Sequence, residues 1–209
     1  MQTLQQRIRA WHSLATPRQK ALGITWYADA REFCRQVSED TEIPYASVCG
    51  VVAALSPACY WSLNKRQAEG LCRAFAIDAD LEAVVLSTYS SQAAKARAIL
   101  QKHVTQPETI KRILGTRAFK TRAFFENLLS EDSQEVTADR HITSALAYTS
   151  SLTNRPAYMR IVHAFQNVCK DMHMKPYQMQ AIVWIAYKET TDSFSPGEKY
   201  DEELAESPF

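Results

Sequence analysis

The run PYASVCGVVAALS, Pro44 to Ser56, decides how the chain is read. It is apolar on nearly every side, the pattern of a central helix buried by its neighbours rather than laid on a surface. Outward from it, apolar-polar alternation of strand type is nearly absent, and the 209 residues hold only five glycines. The fold expected is all-α. Toward the N-terminus, Thr16-Pro17 supplies an N-cap and a proline in the first turn, opening a helix through WYADAREFCRQVSED that ends before Pro44. Toward the C-terminus follow WSLNKRQAEGLCRAF, DLEAVVLS, SSQAAKARAILQKH, PETIKRIL, FKTRAFFENLLS, DRHITSALAYTSS, PAYMRIVHAFQNVCKDM and PYQMQAIVWIAYKE. Each is amphipathic, and links of about two to six residues join them, for roughly ten helices in all.

A chain of 209 residues makes one sizeable domain or two small helical lobes sharing a cleft. Residues 1–190 are read as that single domain. No apolar run approaches the roughly 20 residues that span a membrane, and the N-terminal MQTLQQRIRAWHS lacks a signal-peptide core. The expected setting is the cytoplasm, of a bacterium or a phage-infected host cell. Five scattered cysteines without a CxxC pair indicate neither a disulfide framework nor a metal knot, so buried thiols are expected. The net charge of +1 hides an asymmetry: residues 191–209 hold six acids and one lysine, leaving 23 basic against 17 acidic residues in the body. The body is mildly basic, and the acidic tail is expected to lack stable structure.

The candidate chemistry lies in ILGTRAFKTRAFFENL, Ile113 to Leu128, and in DRHI, Asp139 to Ile142. Lys120 shares its segment with the apolar stripe Phe119, Ala123 and Phe124, and such burial lowers a lysine's pKa toward that of a nucleophile able to form a Schiff base. Asp139 begins a helical pattern, where the helix dipole favours an ionised carboxylate able to stabilise a developing cation. Taken alone, the pair also fits an ordinary N-cap and a surface lysine whose stem lies on apolar surface. Its surroundings favour the chemical reading.

Those surroundings, ILGTRAFKTRAFFENL followed by VTADRHI, resemble the hairpin and catalytic loop of the helix–hairpin–helix DNA glycosylase superfamily, the group of endonuclease III and the adenine glycosylases. Gly115, Lys120, Thr121, Asp139 and His141 match that pattern in order and nearly in spacing. VVAALSPACYWSLNKRQAEGL is similar to the family's early core helix and corner, KARAIL to its helix before the hairpin, and AIVWIAYK to its late Trp-containing helix. The likeness covers roughly residues 44–190. It implies a two-lobed helical fold, DNA as partner, Lys120 as the Schiff-base lysine and Asp139 as the essential carboxylate. It further implies DNA contacts at Gly115, Thr116, Arg117, Arg122, Tyr60, Trp61, Asn64, Arg140 and His141, with Tyr60 or Trp61 stacking in the gap left by an extruded base. The family's second hairpin glycine is missing, so Arg117 and Arg122 are expected to take over phosphate binding. Its cluster-binding cysteines are missing too, so no iron–sulfur cluster, cofactor or metal is expected. His12, His103, His163 and His173 have no partner at metal-ligand spacing, and His141 is expected to orient Asp139 or its loop.

Three activities follow as expectations. The first is a DNA glycosylase/AP lyase that flips a modified or damaged base, cleaves its glycosidic bond and works as a monomer. The second, implied by bacteriophage members of the superfamily, is a transferase acting on 5-hydroxymethyluracil-derived bases, with Arg117, Arg122 and Arg140 holding a pyrophosphate leaving group. The third is a DNA-binding module without catalysis.

Overall fold

The computed structural model describes residues 2–191, and these are helical throughout, with no strand among them. The ten α-helices are α1 (Leu4–Leu14), α2 (Pro17–Thr41), α3 (Tyr45–Leu55), α4 (Trp61–Ala76), α5 (Ser90–Gln101), α6 (Pro107–Leu114), α7 (Phe119–Leu129), α8 (Arg140–Ala145), α9 (Arg155–Met172) and α10 (Pro176–Thr191). None of these is long and apolar enough to cross a membrane. The acidic segment 192–209 lies outside the described residues.

The described residues form two compact units. One is continuous, residues 33–114, and α3 is its core: every residue from Ser47 to Leu55 is buried. Helices α4, α5 and α6 cover it, which is why the sequence of α3 shows no polar face. Gly50 lets α5 and α6 close in, because a Cβ there would lie 2.8 Å from Ile110 Cγ2 and 3.1 Å from Ile99 Cδ1. The segment DLEAVVLS departs from the expected helix: only a 3₁₀ turn, Leu81–Ala83, forms. Arg97 donates from Nε to Leu81 O at 2.9 Å and from Nη2 to Val84 O at 3.1 Å, so a side chain from α5 takes carbonyls that a helix would have used.

The other unit joins residues 2–32 to 115–191. Its first helix, α1, was not singled out in the sequence, although Thr3 and Gln6 form a full capping box at its start. Ile8 of α1 is buried among Val136, Ile142, Tyr158, Ile161, Phe165, Met179 and Val183. Gly23 of α2 lies close against Ile182 of α10: an added Cβ would sit 2.6 Å from Ile182 N and 2.7 Å from its Cα. One helix is shorter than its amphipathic pattern, since α8 stops before Leu146, while α9 runs from Arg155 to Met172 as expected, capped by the side chain of Asn154. Of the five cysteines, all free, Cys59 alone is half-exposed and the others are buried.

Candidate functional site

The loop from Ser130 to Asp139 is held by polar side chains. Tyr158 of α9 donates its hydroxyl to Val136 O at 2.6 Å and accepts from Ala138 N at 3.3 Å. Thr137, between them, turns the other way: its hydroxyl lies 2.8 Å from that of Tyr27 and accepts from Asn127 Nδ2 at 3.2 Å. The Tyr27 hydroxyl is also 3.0 Å from Gln180 Oε1, which can only accept, so the phenol proton goes there. Burial pushes both tyrosine hydroxyls well above their ordinary range, and the charge of Asp139 pushes each in the same direction. They stay neutral hydrogen-bonding groups.

Asp139 itself is half-buried and has both carboxylate oxygens engaged. Oδ1 caps α8 by accepting from Ile142 N at 2.9 Å, and Oδ2 accepts from the indole Nε1 of Trp184 at 3.1 Å. The carboxylate is fixed in one orientation by these two donors. The His141 ring stands edge-on to Trp184, 6.4 Å between centroids, and at the same distance from Tyr187. At the helix start the residue two places after the cap projects sideways toward α10, while the backbone N–H of the third reaches the cap.

Lys120 is in the first turn of α7 and half-buried. Its neighbour Phe119 packs on Tyr158, with centroids 5.5 Å apart, so one tyrosine touches both the start of α7 and the backbone leading to Asp139. The turn before α7 has Gly115 at φ 114°, a conformation that glycine adopts without a steric penalty, and Ala118 N closes it on Gly115 O at 3.1 Å. Thr116 and Arg117 are exposed on this turn, Arg122 is half-buried on α7, and Arg140 is exposed, its Nε 3.4 Å from His141 Nε2. Tyr60, Trp61 and Asn64 belong to the other unit. There Tyr60 precedes α4 and is half-exposed, while Trp61 packs edge-on against Phe33 with Lys65 Nζ 5.7 Å above its ring. Asn64 is corrected from a DNA contact to a core residue: it is 1% exposed and donates from Nδ2 to Val52 O at 3.1 Å, tying α4 to α3.

Sequence reasoning named neither Trp184 nor Lys188 as a site residue. Lys188 is 1% exposed, and its Nζ lies 4.3 Å from the centroid of the Trp184 ring. The available signal was a tryptophan followed four residues later by a lysine inside the otherwise apolar AIVWIAYK. A concavity of about 870 Å³, walled by Asp132, Gln166, Lys170, His173 and Lys175 among others, includes none of the candidate residues. It is a mixed-charge groove without a convergent set of catalytic groups. Among the described residues no cluster of three or more His, Cys, Asp or Glu is placed to hold a metal ion.

Residues 1–191 match the model of a family described as "Family of unknown function (DUF7178)". No curated protein and no solved structure matches the chain.

Proposed function

The chain belongs to the DUF7178 family, and we propose that it is a DNA base-processing enzyme of the glycosylase/AP lyase type. The observation behind this reading is Asp139, a half-buried carboxylate fixed through both oxygens and set in the same unit as a half-buried lysine that opens a helix after a glycine turn. A carboxylate held in this way suits electrostatic stabilisation of the positive charge that spreads over deoxyribose as its bond to the base breaks. The bonding electrons leave with the base, which takes up a proton. The Lys120 amine bonds to C1′, and as the C1′–O4′ bond breaks one amine proton passes to O4′, leaving a protonated imine. Loss of a C2′ proton then expels the 3′ phosphate. Arg117, Arg122 and Arg140 supply cationic groups for the DNA backbone, with the salt dependence that phosphate contacts impose. The target base is reached by extrusion from the duplex, which costs least for a modified or damaged base.

A second reading keeps Asp139 and changes the leaving group. Arg117 and Arg140, exposed beside the hairpin turn and α8, suit an arginine clamp on the pyrophosphate of an activated 5-hydroxymethyluracil. Borohydride trapping separates the two. Protein is incubated with duplexes bearing an abasic site, uracil, 5-hydroxymethyluracil or oxidised bases, and reduced. A covalent band that disappears in Lys120→Ala is the expected result. Intact DNA binding without a band on any substrate overturns the lyase step.

A further inference from the structure

Lys188 is a cation that the proposed chemistry does not use, although it lies one ring away from the carboxylate. Its Nζ is 4.3 Å from the Trp184 ring centroid, and the indole N–H of that ring donates to Asp139 Oδ2 at 3.1 Å. A cation on an aromatic face is attracted by the ring's electron density, and its pull leaves the indole N–H a stronger donor. Burial removes the water that would screen this effect, since Lys188 is 1% exposed. Both helix ends act in the same direction. Lys188 is in the last turn of α10, where the helix dipole favours a cation, and Asp139 caps the start of α8, where it favours an anion.

We propose that Lys188 is a positioning residue for Asp139, acting through Trp184 to keep the carboxylate turned toward the indole. Other groups face this array. They are Arg140 and His141 on α8, Tyr187 on α10, Tyr158 on α9 and Tyr27 on α2. The two buried tyrosines remain neutral in acid, and the acid-side transition at Trp184 is assigned to Asp139 by its loss in Asp139→Asn.

The test needs no substrate and therefore stands apart from the reading of the chain as a DNA enzyme. In ¹⁵N-labelled protein the Trp184 Nε1–H signal, assigned by its loss in Trp184→Phe, is followed from neutral to acid pH. Lys188→Met, which keeps the volume and removes the charge, is expected to move the midpoint upward by about one pH unit, the size of a charge interaction across an aromatic ring in a partly buried site. Lys188→Arg is expected to restore it. An unchanged midpoint in a folded Lys188→Met protein overturns the proposal. Where that variant fails to fold, the unmodified protein decides. The Lys188 ¹⁵Nζ signal is expected to shift at the same midpoint as the indole, and a flat Nζ signal through that transition overturns the proposal equally.

Discussion

Three helical glycines offer the same substitution in three different environments, and replacing each by alanine is expected to give three different results. Every such change gains about 1 kcal/mol of helix propensity. At Gly70, exposed on α4, a Cβ meets no described atom within 4 Å, so the gain stands and Tm rises by roughly 2–4 °C. At Gly50 the nearest atoms are side-chain carbons, Ile110 Cγ2 at 2.8 Å and Ile99 Cδ1 at 3.1 Å. Rotation and small shifts absorb much of that overlap at a cost of roughly 1–2 kcal/mol, leaving a net change between zero and a 1 kcal/mol loss. At Gly23 the obstacle is backbone, with Ile182 N at 2.6 Å and Cα at 2.7 Å, besides Cγ1 at 2.4 Å. Ordinary contact lies near 3.5–4 Å, so α10 has to retreat by about 1 Å, at roughly 3 kcal/mol or more. Net of propensity, Gly23→Ala loses about 2 kcal/mol or more, a fall in Tm of roughly 5–8 °C. Chemical and thermal denaturation of the three single variants is the assay. A Gly23→Ala protein as stable as Gly50→Ala, or a Gly70→Ala protein less stable than the parent, refutes the packing argument.

Asp139→Asn is expected to reduce base release by about 100-fold or more, and Trp184→Phe, which keeps a ring but removes its N–H, by about 10-fold, read as trapped complex against time. Stability is expected to fall as pH rises above about 9. Burial pushes the thiols of Cys72 and Cys169 up to about 12, so the unfolded chain loses these protons first and the folded state is penalised by up to about 1.4 kcal/mol per pH unit for each. Denaturant midpoints at pH 8 and 11 check this, and a Cys72→Ala, Cys169→Ala protein is expected to lose less between the two. Deleting residues 192–209, which hold six acids and one lysine, is expected to tighten non-specific DNA binding at low salt, and unchanged affinity in a filter-binding assay refutes competition by that segment.

What the sequence disclosed depended on how far apart the interacting residues lie. Helix α3 was legible because all its faces are buried, so its composition alone records its position. Asp139 was legible as a cap because the partner of a cap lies three residues away, here Ile142 N. The helix expected over DLEAVVLS was misread because the group that unwinds it, Arg97, is on another helix. Asn64 has the same cause: a polar residue in an amphipathic segment looks exposed until Val52 O is known to face it. Trp184 and Lys188 were the hardest to find. The indole's partner is Asp139, 45 positions away, and a lysine near a helix end reads as surface unless its burial is observed.

The division of the chain also has a consequence for its synthesis on the ribosome. Residues 33–114 form a continuous unit and can complete their core while the rest of the chain is still being made. Helix α1 emerges first but packs on α9 and α10, so Ile8 and Trp11 have no place to go until the last part of the chain appears. At elongation rates of about 5–20 residues per second that wait is on the order of ten seconds, during which an amphipathic helix remains open to chaperones or to the wrong neighbour. Premature termination before α9 would leave α1 without either helix it packs on, so a truncated chain of this kind is a marked substrate for proteolysis.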